Sequence, residues 1–199
     1  MPETVLSKVV FLDRDGVINR DSPDYVKSWS EFEFLPGSIE AIRNLTVSGF
    51  ATILITNQSA VNRRLISDTE LQTIHTRMNA ALKRRDGHIQ DIFFCPHRPD
   101  ERCACRKPKA GLIHQAQSKY RIDLPQSFMV GDNAKDIECA RNAGCGGAIL
   151  VQSGLGSDAA EILAAQDICP DFISRDLAEA VNWIMNRFPG YPRSPAKGS

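Results

Sequence analysis

The stretch Val9-Val10-Phe11-Leu12-Asp13-Arg14-Asp15-Gly16-Val17 constrains this chain more than any other. Four consecutive apolar residues leave no polar face for solvent, so they predict a strand buried on both sides, as in a parallel sheet. The run stops at two carboxylates one residue apart, followed by a glycine. In an open α/β sheet the carboxyl ends of the strands line the crevice where ligands bind, which would put both acids in that crevice. Asp and Gly also punctuate ordinary turns, and this stretch alone does not separate site from turn. The pattern recurs downstream. Residues 50–55 are a second apolar, β-branched run ending in Thr56-Asn57-Gln58-Ser59, and residues 128–131 a third ending in Asp132-Asn133.

Helical spacing fills the intervals. Ser38 reads as the N-cap of a helix through Ile39, Ile42 and Leu45, closed by Gly49. A longer helix runs from Ser67-Asp68 to about residue 85, with Leu71, Ile74, Met78 and Leu82 on its core face and His75 as a half-buried or surface histidine. Further helices are predicted over 112–120, 136–143, 158–166 and 177–188, and short strands over 89–94, 148–151 and 172–173. Strands alternating with helices predict an α/β fold with a doubly wound, mainly parallel sheet. The polar and aromatic residues 19–37 predict a loop over the first strand's end. Residues 1–188 read as one domain, and the Pro/Gly/Ser-rich 189–199 as a flexible tail.

The 24 basic and 24 acidic residues cancel, so no general field draws this chain to nucleic acid or to a membrane surface. An anionic substrate then requires a local cationic cluster, and Arg106-Lys107, just ahead of a helix, supplies one. No apolar run approaches membrane-spanning length and no secretory-signal pattern opens the sequence, so a cytoplasmic protein is expected. With no obvious interface stripe, a monomer is expected too. Cys95, His97, Cys103 and Cys105 place three thiols and an imidazole within eleven positions. That set satisfies a closed tetrahedral zinc site with no position open for catalysis, hence a structural zinc. A Cys103–Cys105 redox pair is the competing reading, and it leaves Cys95 and His97 without a role. Cys139, Cys145 and Cys169 lack such spacing and read as small buried hydrophobes, and His88 and His114 have no ligand role.

Asp13-Arg14-Asp15-Gly16, Thr56, Lys107, and Gly131-Asp132-Asn133 with Asp136 beyond, in that order, resemble the four motifs of the haloacid dehalogenase-like phosphatases over roughly residues 8–188. The resemblance implies a Rossmann-like sheet with a minimal cap and a magnesium-dependent phosphatase. Asp13 would be the nucleophile that forms an aspartyl-phosphate, and Asp15 the acid and base on either side of it. Thr56 and Lys107 would hold the phosphoryl oxygens. Magnesium would bind Asp13, the Asp15 main-chain carbonyl and Asp132. Asn133 would reach the ion through water or only shape its turn, and Asp136 would serve in the outer shell or as a helix N-terminal charge. The segment Cys-Pro-His…Cys-x-Cys-Arg-Lys-Pro narrows the resemblance to two families, heptose 1,7-bisphosphate 7-phosphatases and histidinol-phosphate phosphatases. Asp24-Tyr25-Val26, Phe32-Glu33-Phe34-Leu35-Pro36-Gly37 and Thr56-Asn57-Gln58-Ser59 look more like the former, which serves nucleotide-activated heptose synthesis for surface glycans. By the same resemblance Asp21, Tyr25, Asn57, Gln58 and Ser59 contact a phosphorylated sugar. A bisphosphate needs a second anion anchor, for which Arg106 and one of Arg63 or Arg64 are candidates. Ala60 and Asn62-Arg63-Arg64 depart from the heptose pattern. A non-catalytic phosphometabolite-binding module of the same fold is the alternative from another class, disfavoured by the presence of both Asp13 and Asp15.

Overall fold

The computed structural model describes residues 4–188, so the expected tail at 189–199 lies outside the described residues. A short strand β1 (Val5–Leu6) precedes β2 (Val9–Leu12), which is buried throughout. Alternate side chains of β2 enter two separate cores, Val9 and Phe11 on one face and Val10 and Leu12 on the other, which is why this run has no polar residue. The chain then forms α1 (Ser38–Val47), β3 (Ala51–Asn57), α2 (Asp68–Lys83), β4 (Asp91–Cys95), α3 (Gly111–Lys119), β5 (Arg121–Ile122), β6 (Phe128–Gly131), α4 (Ala134–Ala143), β7 (Gly147–Val151), α5 (Gly156–Ala165), β8 (Phe172–Ser174) and α6 (Leu177–Asn186). Within the described residues the main sheet runs β4-β3-β2-β6-β7-β8, every pair parallel, while β1 and β5 form a separate parallel pair.

Helices cover both faces. One core gathers Ile42 and Leu45 of α1, Ile74, Met78 and Leu82 of α2, and Leu177, Val181 and Ile184 of α6. The other gathers Leu112 and Ile113 of α3, Ile137 and Ala140 of α4, and Leu163 of α5. This is the doubly wound architecture that the alternating pattern predicts. The chain winds outward through β3 and β4, then crosses back to β6 on the opposite side of β2. Connections that leave β2 and β6 in opposite directions open a crevice at their carboxyl ends.

Residues 19–37 lie over that end, with Asp21 to Val26 beside Asp13. Leu35 donates its N–H to the Ile18 carbonyl at 2.9 Å, Arg20 to Glu33 at 2.9 Å, and Trp29 stacks on Phe32 with ring centroids 5.0 Å apart. Three local expectations need correction. Ser38 is the first helical residue rather than the N-cap: Gly37, at φ 78°, holds the cap position, and the buried Ser38 hydroxyl makes no hydrogen bond. His75 is buried, not half-exposed, because α2 leans its Leu71–Ile74–Met78 stripe far enough into the core to carry the neighbouring position with it. Cys139 and Cys145 are buried as expected, whereas Cys169 is exposed, in the loop that carries the chain from α5 to β8. No helix among the described residues is long and apolar enough to cross a membrane.

Candidate active site

Asp13 continues β2 by one more ladder bond, from its N–H to the Val130 carbonyl at 3.0 Å, so its carboxyl group stands where β2 and β6 part. Lys107 meets it there. The Lys107 Nζ lies 2.9 Å from Asp13 Oδ2 and 2.6 Å from Asp136 Oδ1, and the lysine is only 2% exposed. Burial works against the lysine's charge, but Asp13 and Asp136 on either side outweigh it and hold its pKa above the ordinary lysine range. Burial also pushes Asp13 up to about 6, even against the pull of Lys107. Asp132 completes the group. Oxygens of Asp13, Asp132 and Asp136 lie within 4.8 Å of one another. Burial, then the charges of Asp136 and Asp13, push Asp132 up to about 8.

Three buried acids beside one ammonium leave excess negative charge, and hard carboxylate oxygens in such a cluster suit a small divalent cation. Asp136 is the least free of the three. It accepts the Asn133 N–H at 3.0 Å in a capping box at the start of α4, as well as pairing with Lys107. Asn133, in turn, accepts the Lys135 N–H on its side-chain oxygen at 3.2 Å and so caps α4.

Asp15 points into a different set of bonds. Arg14 Nε and Nη2 grip its carboxylate at 2.9 to 3.1 Å, Asn19 Nδ2 donates at 2.9 Å and Gln58 Nε2 at 2.8 Å. Burial opposes ionisation of Asp15, yet the Arg14 charge and these donors prevail and hold its pKa below the usual carboxylate range. Gln58 Nε2 also donates to the Thr56 hydroxyl at 2.9 Å, linking the ends of β2 and β3. Asn57 clamps Lys107 by its backbone: the side-chain oxygen accepts the Lys107 N–H at 3.1 Å and the amide nitrogen donates to the Lys107 carbonyl at 3.3 Å.

The Cys/His loop converges as its spacing predicts. Cys95 Sγ lies 3.6 Å from Cys103 Sγ, 3.3 Å from Cys105 Sγ and 3.5 Å from His97 Nδ1, while Cys105 Sγ is 3.5 Å from Cys103 and 3.3 Å from His97. A tetrahedron built on zinc–sulfur bonds of about 2.3 Å has edges of about 3.8 Å, so four soft donors at this separation fit zinc. All four residues join one cluster, which a Cys103–Cys105 redox pair does not require. Cys95 ends β4 beside Asn57, and Cys105 leads directly into Arg106 and Lys107.

A cavity of about 290 Å³ opens beside these groups, lined by Asp13, Asp15, Thr56, Lys107 and Asp132 together with Asp21, Tyr25, Asn57, Gln58 and Arg106. Two expected contacts do not reach it. Ser59 is 5% exposed and outside the lining, since the chain turns inward after Gln58. Arg63 and Arg64 lie on an exposed turn whose backbone bonds run back to Ser59 and Val61, outside the lining as well. Lys135, in the first turn of α4, supplies a cation that no motif singled out. Sequence reading also missed Gly154 beyond β7. A side chain there would run into the Asp132 carboxylate, which is held by the Leu155 N–H at 2.9 Å. Its signal was available: Ser153-Gly154 is one more polar, small-residue pair at the carboxyl end of a buried strand.

A family model described as HAD-hyrolase-like matches residues 104–180. D-glycero-beta-D-manno-heptose-1,7-bisphosphate 7-phosphatase of Bordetella bronchiseptica is 44% identical over 149 residues, 75% of this chain and 83% of that protein. The protein of the same name from Yersinia pestis is 36% identical over 186 residues, 90% of this chain and 96% of its own. The crystal structure of D,D-heptose 1,7-bisphosphate phosphatase from B. bronchiseptica, complexed with magnesium and phosphate, superposes with a TM-score of 0.84 at 40% identity, covering 90% of this chain and 99% of that one. With fold and overall length shared at these identities, and with the acid cluster in place, the chain belongs to the haloacid dehalogenase-like hydrolases, in the family of the heptose 1,7-bisphosphate 7-phosphatases.

Proposed function

We propose that this chain removes the 7-phosphate of D-glycero-beta-D-manno-heptose 1,7-bisphosphate in two steps through a phosphoryl group carried by Asp13. The observation that carries this reading is the Asp13–Lys107 contact at 2.9 Å in a cavity whose lining holds further cations, Arg106 and Lys135. In the first step an Asp13 oxygen bonds to phosphorus as the bond from phosphorus to the sugar oxygen breaks, and Asp15 gives that oxygen a proton. In the second, Asp15 takes a proton from water, the water oxygen bonds to phosphorus, and phosphate leaves Asp13. A pKa near 6 leaves the Asp13 carboxylate ionised at neutral pH and ready to attack. Asp15 starts ionised, and an incoming phosphate dianion beside it favours its uptake of the proton it then donates.

In this reading Lys107 and the Thr56 hydroxyl hold the equatorial oxygens as charge spreads over them. Magnesium, held by Asp13, Asp132 and the Asp15 main-chain carbonyl, would supply the charge that lets an anionic nucleophile and an anionic phosphate approach. Asp136 keeps Lys107 in place from the other side. Zinc on Cys95, His97, Cys103 and Cys105 would fix the loop that delivers Arg106 and Lys107. Arg106, one Nη of which donates to the His97 carbonyl at 3.0 Å, keeps donors free for the distal phosphate, with Lys135 as a second candidate in place of Arg63 or Arg64.

The test is a panel with magnesium: both anomers of heptose 1,7-bisphosphate, fructose 1,6-bisphosphate and histidinol phosphate, with phosphate release measured and the product identified by phosphorus NMR. The expected result is highest kcat/KM on the beta heptose anomer with heptose 1-phosphate as product. A preference for histidinol phosphate would overturn the substrate assignment, and a folded, zinc-loaded protein inert to all four would return the binding-module reading.

A further inference from the structure

Arg14 stands between the two reacting acids in sequence, and its guanidinium is 1% exposed, among the most deeply buried large side chains described. Two of its nitrogens grip Asp15. The third, Nη1, faces α2, where the Nε2 of His75 lies 3.3 Å away. A guanidinium only donates, so this contact is a hydrogen bond when Nε2 carries a lone pair, that is, with neutral imidazole and the proton on Nδ1. Burial first, and then the neighbouring Arg14 charge, push the His75 pKa down to about 3, which keeps the ring neutral across the working range. The ring is steadied by Phe94 of β4, its centroid 6.1 Å away in an edge-on arrangement.

We propose that His75 is a positioning residue for proton transfer: its Nε2 anchors Arg14, and Arg14 aims the Asp15 carboxylate at the leaving oxygen. The inference rests on the reading of Asp15 as the proton donor. A buried N–H without an acceptor is costly, so a guanidinium robbed of His75 rotates to regain a partner and loosens the grip of Nε and Nη2 on Asp15. Asn19 and Gln58 then hold the carboxylate alone. Sixty-one positions separate His75 from Arg14, and α2 contributes no side chain to the reacting atoms themselves.

The experiment compares His75→Gln with His75→Asn. The side-chain oxygen of Gln reaches about the place of Nε2, while that of Asn stops near the place of Nδ1, short of Arg14. For each variant, kcat/KM is measured on heptose 1,7-bisphosphate, whose alkoxide needs a proton to leave, and on p-nitrophenyl phosphate, whose phenolate leaves without one. Because kcat/KM ends at the first irreversible step, it isolates transfer to Asp13 from the later hydrolysis. His75→Asn is expected to lower the first value about tenfold and the second less than about twofold, as loss of a charged hydrogen bond would, with His75→Gln close to wild type on both. Should a buried Asn unsettle α2, His75→Leu repeats the comparison without a new polar group. Equal losses on both substrates, no loss on either, or a Gln variant as impaired as the Asn variant would overturn the inference. Asp15→Asn, run alongside, separates the causes. If it discriminates between the substrates and His75→Asn does not, only the inference falls, whereas if Asp15→Asn itself fails to discriminate, the proton-donor reading falls and takes the inference with it.

Discussion

Gly154 is a seat for Asp132, and filling it displaces one member of the acid cluster without changing the chemistry of any acid in it. A Cβ built on Gly154 would collide with Asp132 Oδ2 and stand 2.8 Å from the Gly16 Cα and 2.9 Å from the Asp132 Cγ. Carbon atoms rest at about 3.5 to 4.0 Å, so each of these contacts must open by roughly 0.6 Å or more. Gly16 is held on both sides, by its N–H on the Asn19 carbonyl at 2.8 Å and by the Ser153 hydroxyl on its own carbonyl at 2.7 Å. Asp132, a side chain tethered by the Leu155 N–H, gives way to the new Cβ, while the Gly16 contact is relieved only by a shift of the backbone at Gly154 or Gly16. Overpacking of this size costs about 1 to 3 kcal/mol of stability, or a few degrees in melting temperature for a chain this long. Misplacement of a reacting-site group by about 1 Å costs up to about a hundredfold in rate. Gly154→Ala is therefore expected to fold, to lose roughly ten- to a hundredfold in kcat/KM at limiting magnesium, and to recover in part when magnesium is raised. The assay is phosphate release against magnesium concentration. Gly144→Ala is the control: at φ 78° with nothing within 4 Å of its Cβ, it strains the backbone and leaves the site alone. A Gly154→Ala enzyme with wild-type magnesium dependence would refute the seating of Asp132.

The buried charges and the zinc loop carry consequences of their own. The raised pKa values of Asp13, about 6, and Asp132, about 8, mean that the folded protein without magnesium binds these protons more tightly than the unfolded chain. The contribution of this pair to stability therefore declines as pH rises from about 4 to about 8, and magnesium should stabilise more the higher the pH within that window. Near pH 7, magnesium binding should expel about one proton, measurable by calorimetry in buffers of different ionisation enthalpy, and binding without proton release would contradict the burial of Asp132. Stripping zinc and then restoring magnesium alone should lower both melting temperature and kcat, because residues 95–105 lead straight into Lys107; full activity at zero zinc content would count against the structural role. Arg106→Ala should raise KM for the bisphosphate about tenfold while leaving kcat within about twofold, the pattern of lost substrate binding, and an equal fall in kcat would assign Arg106 to the reacting phosphate instead.

Much of this site was legible because buried parallel strands announce themselves as unbroken apolar runs. The polar residues that close such runs, Asp13, Thr56 and Asp132, must stand at the sheet's carboxyl end, and the zinc loop's short spacing converges almost by necessity. The parts that were not legible depend on how separate elements lean on each other. Nothing local to α2 says that His75 will meet Arg14 rather than solvent, since that depends on how deeply the helix settles against β2 and β4. Arg63 and Arg64 come after the second motif in sequence, but the turn after Ser59 carries them off the cavity, while Lys135 enters it only because α4 starts at the end of β6. Asn57 and Gln58 line the cavity, and what was not legible is that their side chains also hold Lys107 in one case and Asp15 with Thr56 in the other.

The central claim is that the Asp13 carboxylate itself carries the phosphoryl group. Acid quench during turnover, followed by borohydride reduction and peptide mass spectrometry, converts an acyl phosphate at any aspartate into homoserine at that position. Homoserine is expected at position 13, dependent on substrate and magnesium and absent from Asp13→Asn. Homoserine at Asp15 or Asp132 instead, or continued turnover by Asp13→Asn, would contradict it.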